Sequence, residues 1–102
     1  MSDIRKAHKA LQMRILEGAG DSSPAMRQAA FDNCGLAGPQ GALVGKVAER
    51  AYRVTDQDII EVEVAGLSED QIFEIVVCAA VGQATRQYDE ALTALEAAAG
   101  KE

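Results

Sequence analysis

Tryptophan is absent from this chain, and two tyrosines and two phenylalanines leave aromatics at 4% of 102 residues. A core that large rings cannot fill must be filled by small and aliphatic side chains, and apolar residues are 48% of the sequence. Burial yields about 25 cal/mol per Å² of apolar surface. An alanine-rich core of this size is therefore thin, and self-association is expected to complete it. The two cysteines stand 44 positions apart, at 34 and 78, which does not make a disulfide framework. With His8 as the single histidine there is no His/Cys cluster of metal-ligand spacing, and neither a metal nor a cofactor is expected. No apolar run approaches the roughly 20 residues that cross a bilayer. No apolar segment follows the first Met and no lipidation motif stands at either end, so the expectation is a cytosolic protein without membrane contact.

Positive charge is also scarce. The net charge is −6, and it is unevenly spread. Residues 1–48 carry six Lys/Arg against four Asp/Glu, a net of +2, and residues 49–102 carry four against twelve, a net of −8. Such a surface repels phosphates, which excludes a nucleic-acid partner. The cluster Arg5, Lys6, Lys9 reads as a solvated helix face.

What the chain does have is helical grammar, organised around the stretch from Ser68 to Ala99. Ser68 can act as N-cap with Gln71 completing a capping box, and Glu69 and Asp70 suit the positive end of the helix dipole. Between Ile72 and Val81 only Glu74 is charged or strongly polar, which predicts a segment enclosed on nearly all sides. Phe73, Val77, Ala80, Ala84, Tyr88, Leu92 and Leu95 continue as one stripe at steps of three or four. The helix is expected to be enclosed early and half exposed late.

Shorter helices are expected around it. The first covers Asp3 to Glu17, with Ile4, Ala7, Leu11 and Ile15 as its apolar stripe and His8 as a partly exposed residue beside it. Gly18–Ser23 is a turn. Ser23-Pro24 opens a second helix running to about Cys34 and stopped by Gly35. Gly35–Gly41, GLAGPQG, reads as a loop whose glycine spacing matches no phosphate-binding motif. A third helix covers about Ala42 to Arg53. Thr55 with Asp58 resembles a capping box for a fourth that ends at Gly66. Ile60, Val62 and Val64 alternate with Glu61 and Glu63, which is strand spacing, but no second strand is available to pair. Gly100–Glu102 is expected to fray. The fold class is all-α, one domain over residues 1–102, about five helices, with the long C-terminal helix central.

The run VAERAYRVTDQDIIEVEVAGLSEDQIFEIVVCAAVGQATRQYDEAL resembles the carboxymuconolactone decarboxylase and alkylhydroperoxidase D-like superfamily. The nearest signature is AGLSEDQIFEIVVCAAVGQAT, Ala65 to Thr85, and the likeness covers roughly residues 43–95. It implies an all-helical, alkylhydroperoxidase D-like fold, a homo-oligomer, and a small pocket near the helix before the Gly-Leu-Ser turn. Redox members carry Cys-x-x-Cys-x-x-x-His on that helix. The corresponding positions here hold Ala51, Val54 and Asp58. Two sulfurs within disulfide reach and a low-pKa thiolate are both missing there. Decarboxylase-type members use a histidine on nearby helices, whereas His8 lies outside the matched run.

The remaining chemistry is open between two readings. Glu74, Cys78, Gly82, Arg86 and Glu90 recur every four residues and share one line along the helix. That line is either a pocket wall, with Arg86 holding a small anionic ligand, or a packing groove in which Gly82 admits a neighbouring helix and Arg86 pairs with Glu90. Glu49 and Tyr52, with Thr55 and Asp58, flank the absent redox motif and can do acid–base work if buried. Solvent and capping account for them otherwise. Cys78 reads as a core thiol and Cys34 as a more exposed one. The candidate catalytic residues are Cys78, Arg86, Tyr52 and Glu49. The expected function is a non-redox carboxymuconolactone decarboxylase-like protein that self-associates around a small pocket. The alternatives are a thiol-dependent peroxide-reducing or decarboxylase-type enzyme, and a non-catalytic binding or structural subunit.

Overall fold

The computed structural model describes residues 2–100 and is all-α. Fraying of Lys101 and Glu102 lies outside the described residues, and Gly100 still belongs to the last helix. The helices are α1 (Ser2–Glu17), α2 (Pro24–Asp32), α3 (Gly38–Arg50), α4 (Asp56–Val64) and α5 (Glu69–Gly100), with one turn of 3-10 helix, Ala51–Arg53, after α3. No helix among the described residues is long and apolar enough to cross a membrane.

The boundaries follow from side-chain caps. Ser23 accepts a hydrogen bond from the Met26 N–H at 3.1 Å, with Pro24 in the first turn. Thr55 and Asp58 form a reciprocal capping box, and so do Ser68 and Gln71, through bonds of 2.9 and 3.1 Å. The caps decide the contested segment: residues 56–64 are helix, and Val62 is fully buried while Ile60 and Val64 face outward. Gly66, at φ +113°, makes the turn into α5.

Three boundaries differ from expectation. α3 ends at Arg50, and Ala51–Arg53 is the 3-10 turn. α2 ends at Asn33, not at Gly35. The Asn33 backbone is left-handed, φ 52°, and the Asn33 and Cys34 N–H groups donate to the carbonyls of Ala30 and Ala29. α3 begins at Gly38, inside the expected loop, because Pro39 is preorganised for a first helical turn.

α5 is the axis. Thirty-two residues at about 1.5 Å rise span about 48 Å, most of the 55 Å long dimension. α2 and α3 make the most extensive contacts with it, and α4 closes against α3 and the start of α5. One core cluster joins Ala30, Phe31, Val44, Ile75, Cys78 and Ala79. A second joins Leu43, Val62 and Ile72. The ion pair Lys46–Asp58, 2.8 Å, ties α3 to α4. That lysine, with the Thr55 N–H, holds the Asp58 carboxyl below the usual range.

Two expected faces are corrected. The buried line of α5 is Ile72, Ile75, Cys78, Ala79, Gly82 and Thr85, while Phe73 is 68% exposed and Ala80, Ala84 and Leu95 are exposed. The early part of α5 is apolar all round, but this chain covers only one side of it. On α1 the inward residues are His8, Gln12, Ile15 and Leu16, and the apolar Ile4, Ala7 and Leu11 face outward. The radius of gyration, 15.5 Å, exceeds the roughly 13 Å of a compact 100-residue domain.

The tightest approach is at Gly82. A Cβ there would lie 2.7 and 2.9 Å from the carbonyl carbon and Cα of Phe31, and closer still to its oxygen. These are backbone atoms and cannot step aside. Helix propensity alone favours Gly→Ala by about 1 kcal/mol. Gly82→Ala is nevertheless expected to destabilise by about 1–3 kcal/mol through overpacking, measured by denaturant unfolding. An unchanged or raised midpoint would show that α2 does not need this contact.

Candidate functional sites on the two faces of α5

Of the line Glu74–Cys78–Gly82–Arg86–Glu90, the structure closes the middle and leaves the upper part open. At Gly82 the Phe31 carbonyl fills the space. Arg86 is half-buried and donates from Nη1 to that same carbonyl at 2.6 Å and from Nη2 to Gln83 Oε1 at 3.1 Å. Phe31 lies in the last turn of α2, where carbonyls lack intrahelical partners, so Arg86 acts as a side-chain cap. Glu90 is exposed. Tyr52, 82% exposed, sits on the 3-10 turn. Glu49 is exposed on α3, with Asn33 Nδ2 at 3.5 Å. Cys78 is buried, and its thiol points to the Ile15 carbonyl at 3.7 Å. The four candidate residues thus lie at separate places: Cys78 and Arg86 face α1 and α2, while Tyr52 and Glu49 lie on the α3 side. Among the described residues no three His, Cys, Asp or Glu side chains converge as metal ligands.

The open part of the line forms a pocket of about 160 Å³ among α1, α2 and α5, walled by Glu74, Cys78 and Val77 with Ile15 and Arg27. The guanidinium here is that of Arg27. It is 5% exposed, and its Nη1 donates to the carbonyls of Ile15, 3.3 Å, and Gly18, 2.7 Å. Those carbonyls belong to the end of α1, so the cation also complements the helix dipole. Its Nε is buried with no partner.

Glu74 is half-buried and accepts from the Asp21 and Ser22 N–H groups, each at 2.8 Å, and from the Ser22 hydroxyl. The Asp21 N–H first, then the Ser22 hydroxyl, hold its carboxyl below the ordinary 4.5. Asp70 beside Asp21 pushes the Asp21 carboxyl up. Burial pushes the Cys78 thiol up, only partly offset by Arg27. Cys78 therefore stays a thiol at neutral pH, which slows nucleophilic chemistry.

A second, more open cleft of about 390 Å³ lies between α1 and the later part of α5, lined by Arg5, His8, Lys9, Tyr88, Asp89 and Glu96 among others. Thr85, buried, donates its hydroxyl to the Val81 carbonyl at 2.7 Å. Its oxygen must then accept from His8 Nε2, 2.9 Å away, so that nitrogen carries the hydrogen. The ring stacks on Tyr88 with centroids 5.3 Å apart and planes at 22°. The Tyr88 hydroxyl is buried without a partner. The pair Arg5–Glu96, 2.6 Å, bridges the two helices.

Sequence reasoning missed Arg27 and the His8–Thr85–Tyr88 group. Arg27 interrupts a short helix of otherwise unremarked polarity, and the only local signal was a lone arginine between Met26 and Ala29–Phe31. His8 and Thr85 are 77 positions apart, beyond any spacing rule. Comparison with protein-family models, with curated proteins and with solved structures finds no match to this chain.

Hydrogen bonds to a charged group contribute about 1.5–3 kcal/mol each. Glu74→Gln is expected to cost about 1–3 kcal/mol near neutral pH, since an amide keeps one acceptor of weaker strength. Because the folded-state pKa lies below the unfolded one, the wild-type advantage is present above the unfolded value and is lost as pH falls through the folded value. Unfolding curves of both proteins from neutral to acidic pH check this. Parallel curves would remove Glu74 as the acid-sensitive anchor.

Proposed function

We propose that this chain is a non-redox, cytoplasmic, carboxymuconolactone decarboxylase-like protein that self-associates and serves a small ligand at a polar pocket. Assembly carries this reading, and the supporting observation is the apolar surface the chain leaves uncovered. Phe73 is 68% exposed beside Val76 and Ile59, and Ile60 and Val64 continue the surface on α4. Ile4, Leu11 and Met13 of α1 and Leu95 of α5 are also exposed. A second copy is the occupant that fits both, since the basic first half complements the acidic second. Nucleic acid is not a partner on this reading. Sedimentation at micromolar concentration is expected to show an assembly, and Phe73→Glu to shift it toward the monomer. A stable wild-type monomer would overturn the proposal.

The non-redox part rests on the thiols. Cys34 is exposed beyond α2 and Cys78 is buried on α5, and burial holds the Cys78 thiol up. Asp58, at the family's imidazole position, is occupied by its capping box and by Lys46. Peroxide consumption with a thiol reductant is expected to stay at background in wild type, in Cys34→Ser and in Cys78→Ala. Turnover in wild type that disappears in either variant would restore the peroxide-reducing alternative.

A second reading, proton-transfer catalysis, is favoured by the cleft around His8. A half-buried imidazole held in one tautomer beside a phenol and open to solvent has the parts of a general acid–base pair.

A further inference from the structure

We propose that the pocket at Arg27 binds a short monocarboxylate through the side-on edge of the guanidinium. Arg27 is 5% exposed, and both of its bonds to the protein come from Nη1. Nε is buried and unpartnered. A guanidinium offers parallel N–H donors along two edges, either of which matches a carboxylate bidentately. The end of α1 holds Nη1, so the Nε–Nη2 edge is the one left for a ligand. Among the described residues no carboxylate takes it: the ion pairs there are Arg5–Glu96 and Lys46–Asp58. Glu74 meets the Arg27 charge only through space, without a hydrogen bond, and a buried donor lacking an acceptor is unfavourable. A ligand carboxylate supplies that acceptor.

The pocket sets the size and charge of the occupant. Its volume is about 160 Å³, and a cavity of about 150 Å³ accommodates benzene, so the ligand has about six non-hydrogen atoms. Arg14 and Arg27 face one carboxylate, Glu74, which leaves one positive charge uncompensated. Glu74 is turned to the Asp21–Ser22 backbone and does not compete for Arg27. Ile15, Val77 and Phe73 supply apolar wall for an aliphatic tail. A phosphate would set its second charge against Glu74 and its oxygens against these side chains. Reaching Nε requires the rim to yield slightly, and Phe73 and Val77 are exposed and half-buried there. The anionic ligand expected at Arg86 is thus assigned to Arg27.

This inference deepens the reading of the chain as a small-ligand protein. Sedimentation of the same samples reports assembly separately, so failure of one is distinguishable from failure of the other. The test is an NMR titration of the full chain with butyrate, butyramide and inorganic phosphate. Butyrate is expected to bind saturably and shift the Arg27 Nε–H resonance. Butyramide, which keeps the shape and lacks the charge, is expected to bind about tenfold more weakly or worse, and phosphate not to shift that resonance. Val77→Phe narrows the pocket and leaves Arg27 in place. Butyrate binding is expected to weaken by about tenfold or more in that variant, with an unchanged circular dichroism spectrum. Non-saturating butyrate, equal binding of butyramide, or a phosphate shift at Arg27 in wild type would each overturn the site, as would undiminished binding in a folded Val77→Phe.

Discussion

The contact between the Phe31 carbonyl and the bare Cα of Gly82 sets the register of the whole molecule. A helix end normally presents its last carbonyls to water. Here one of them is driven into the side of α5 and satisfied by Arg86, one turn further on. With that point fixed, α2 and the turn before it run alongside α5. Phe31 meets Gly82, Arg27 lies over the Cys78 pocket, and Ser22 at the entrance to α2 meets Glu74. The pocket exists because this ladder is tight at its lower rung and loose at its middle one.

The charge arrangement along the ladder is unlike a simple salt bridge. Arg27 and Glu74 share a pocket, yet each is bound to backbone: the cation to the carbonyls that end α1, the anion to the N–H groups that lead into α2. Each charge is matched to a helix end of the right sign. This arrangement fixes the α1–α2 corner without pairing the two side chains, and leaves the guanidinium a free edge.

How much of this could be read from the sequence divides along physical lines. Caps are local, so Ser23-Pro24, Thr55 with Asp58, and Ser68 with Gln71 were legible, and they placed the helices and settled the strand-like alternation at 60–64. The special role of Gly82 was legible as a packing groove because a mid-helix glycine needs a reason. Facing was not legible. Phe73 and Ile4 belong to good apolar stripes, but a stripe tells which residues avoid water and not whether the same chain covers them. The inward face of α1, His8 and Gln12 above Ile15, is partly polar and gives no periodic signal. Arg86 was read as a ligand or surface group, since the carbonyl it caps belongs to a residue 55 positions away.

The clasp of Glu74 on Asp21 and Ser22 also divides the molecule by how readily its parts open. On the far side of the clasp, α1 is joined to the rest by limited packing and a partly polar inner face. On the near side, α2 is locked at both ends. Local opening of a native protein proceeds in contiguous units, from the least to the most packed. By that rule α1 is the unit expected to open first, and its opening uncovers the Ile15 and Leu16 side of the core. Both the His8 cleft and the roof of the Arg27 pocket belong to that unit. Amide exchange along α1 then reports the lifetime of the sites themselves, separately from the lifetime of the fold.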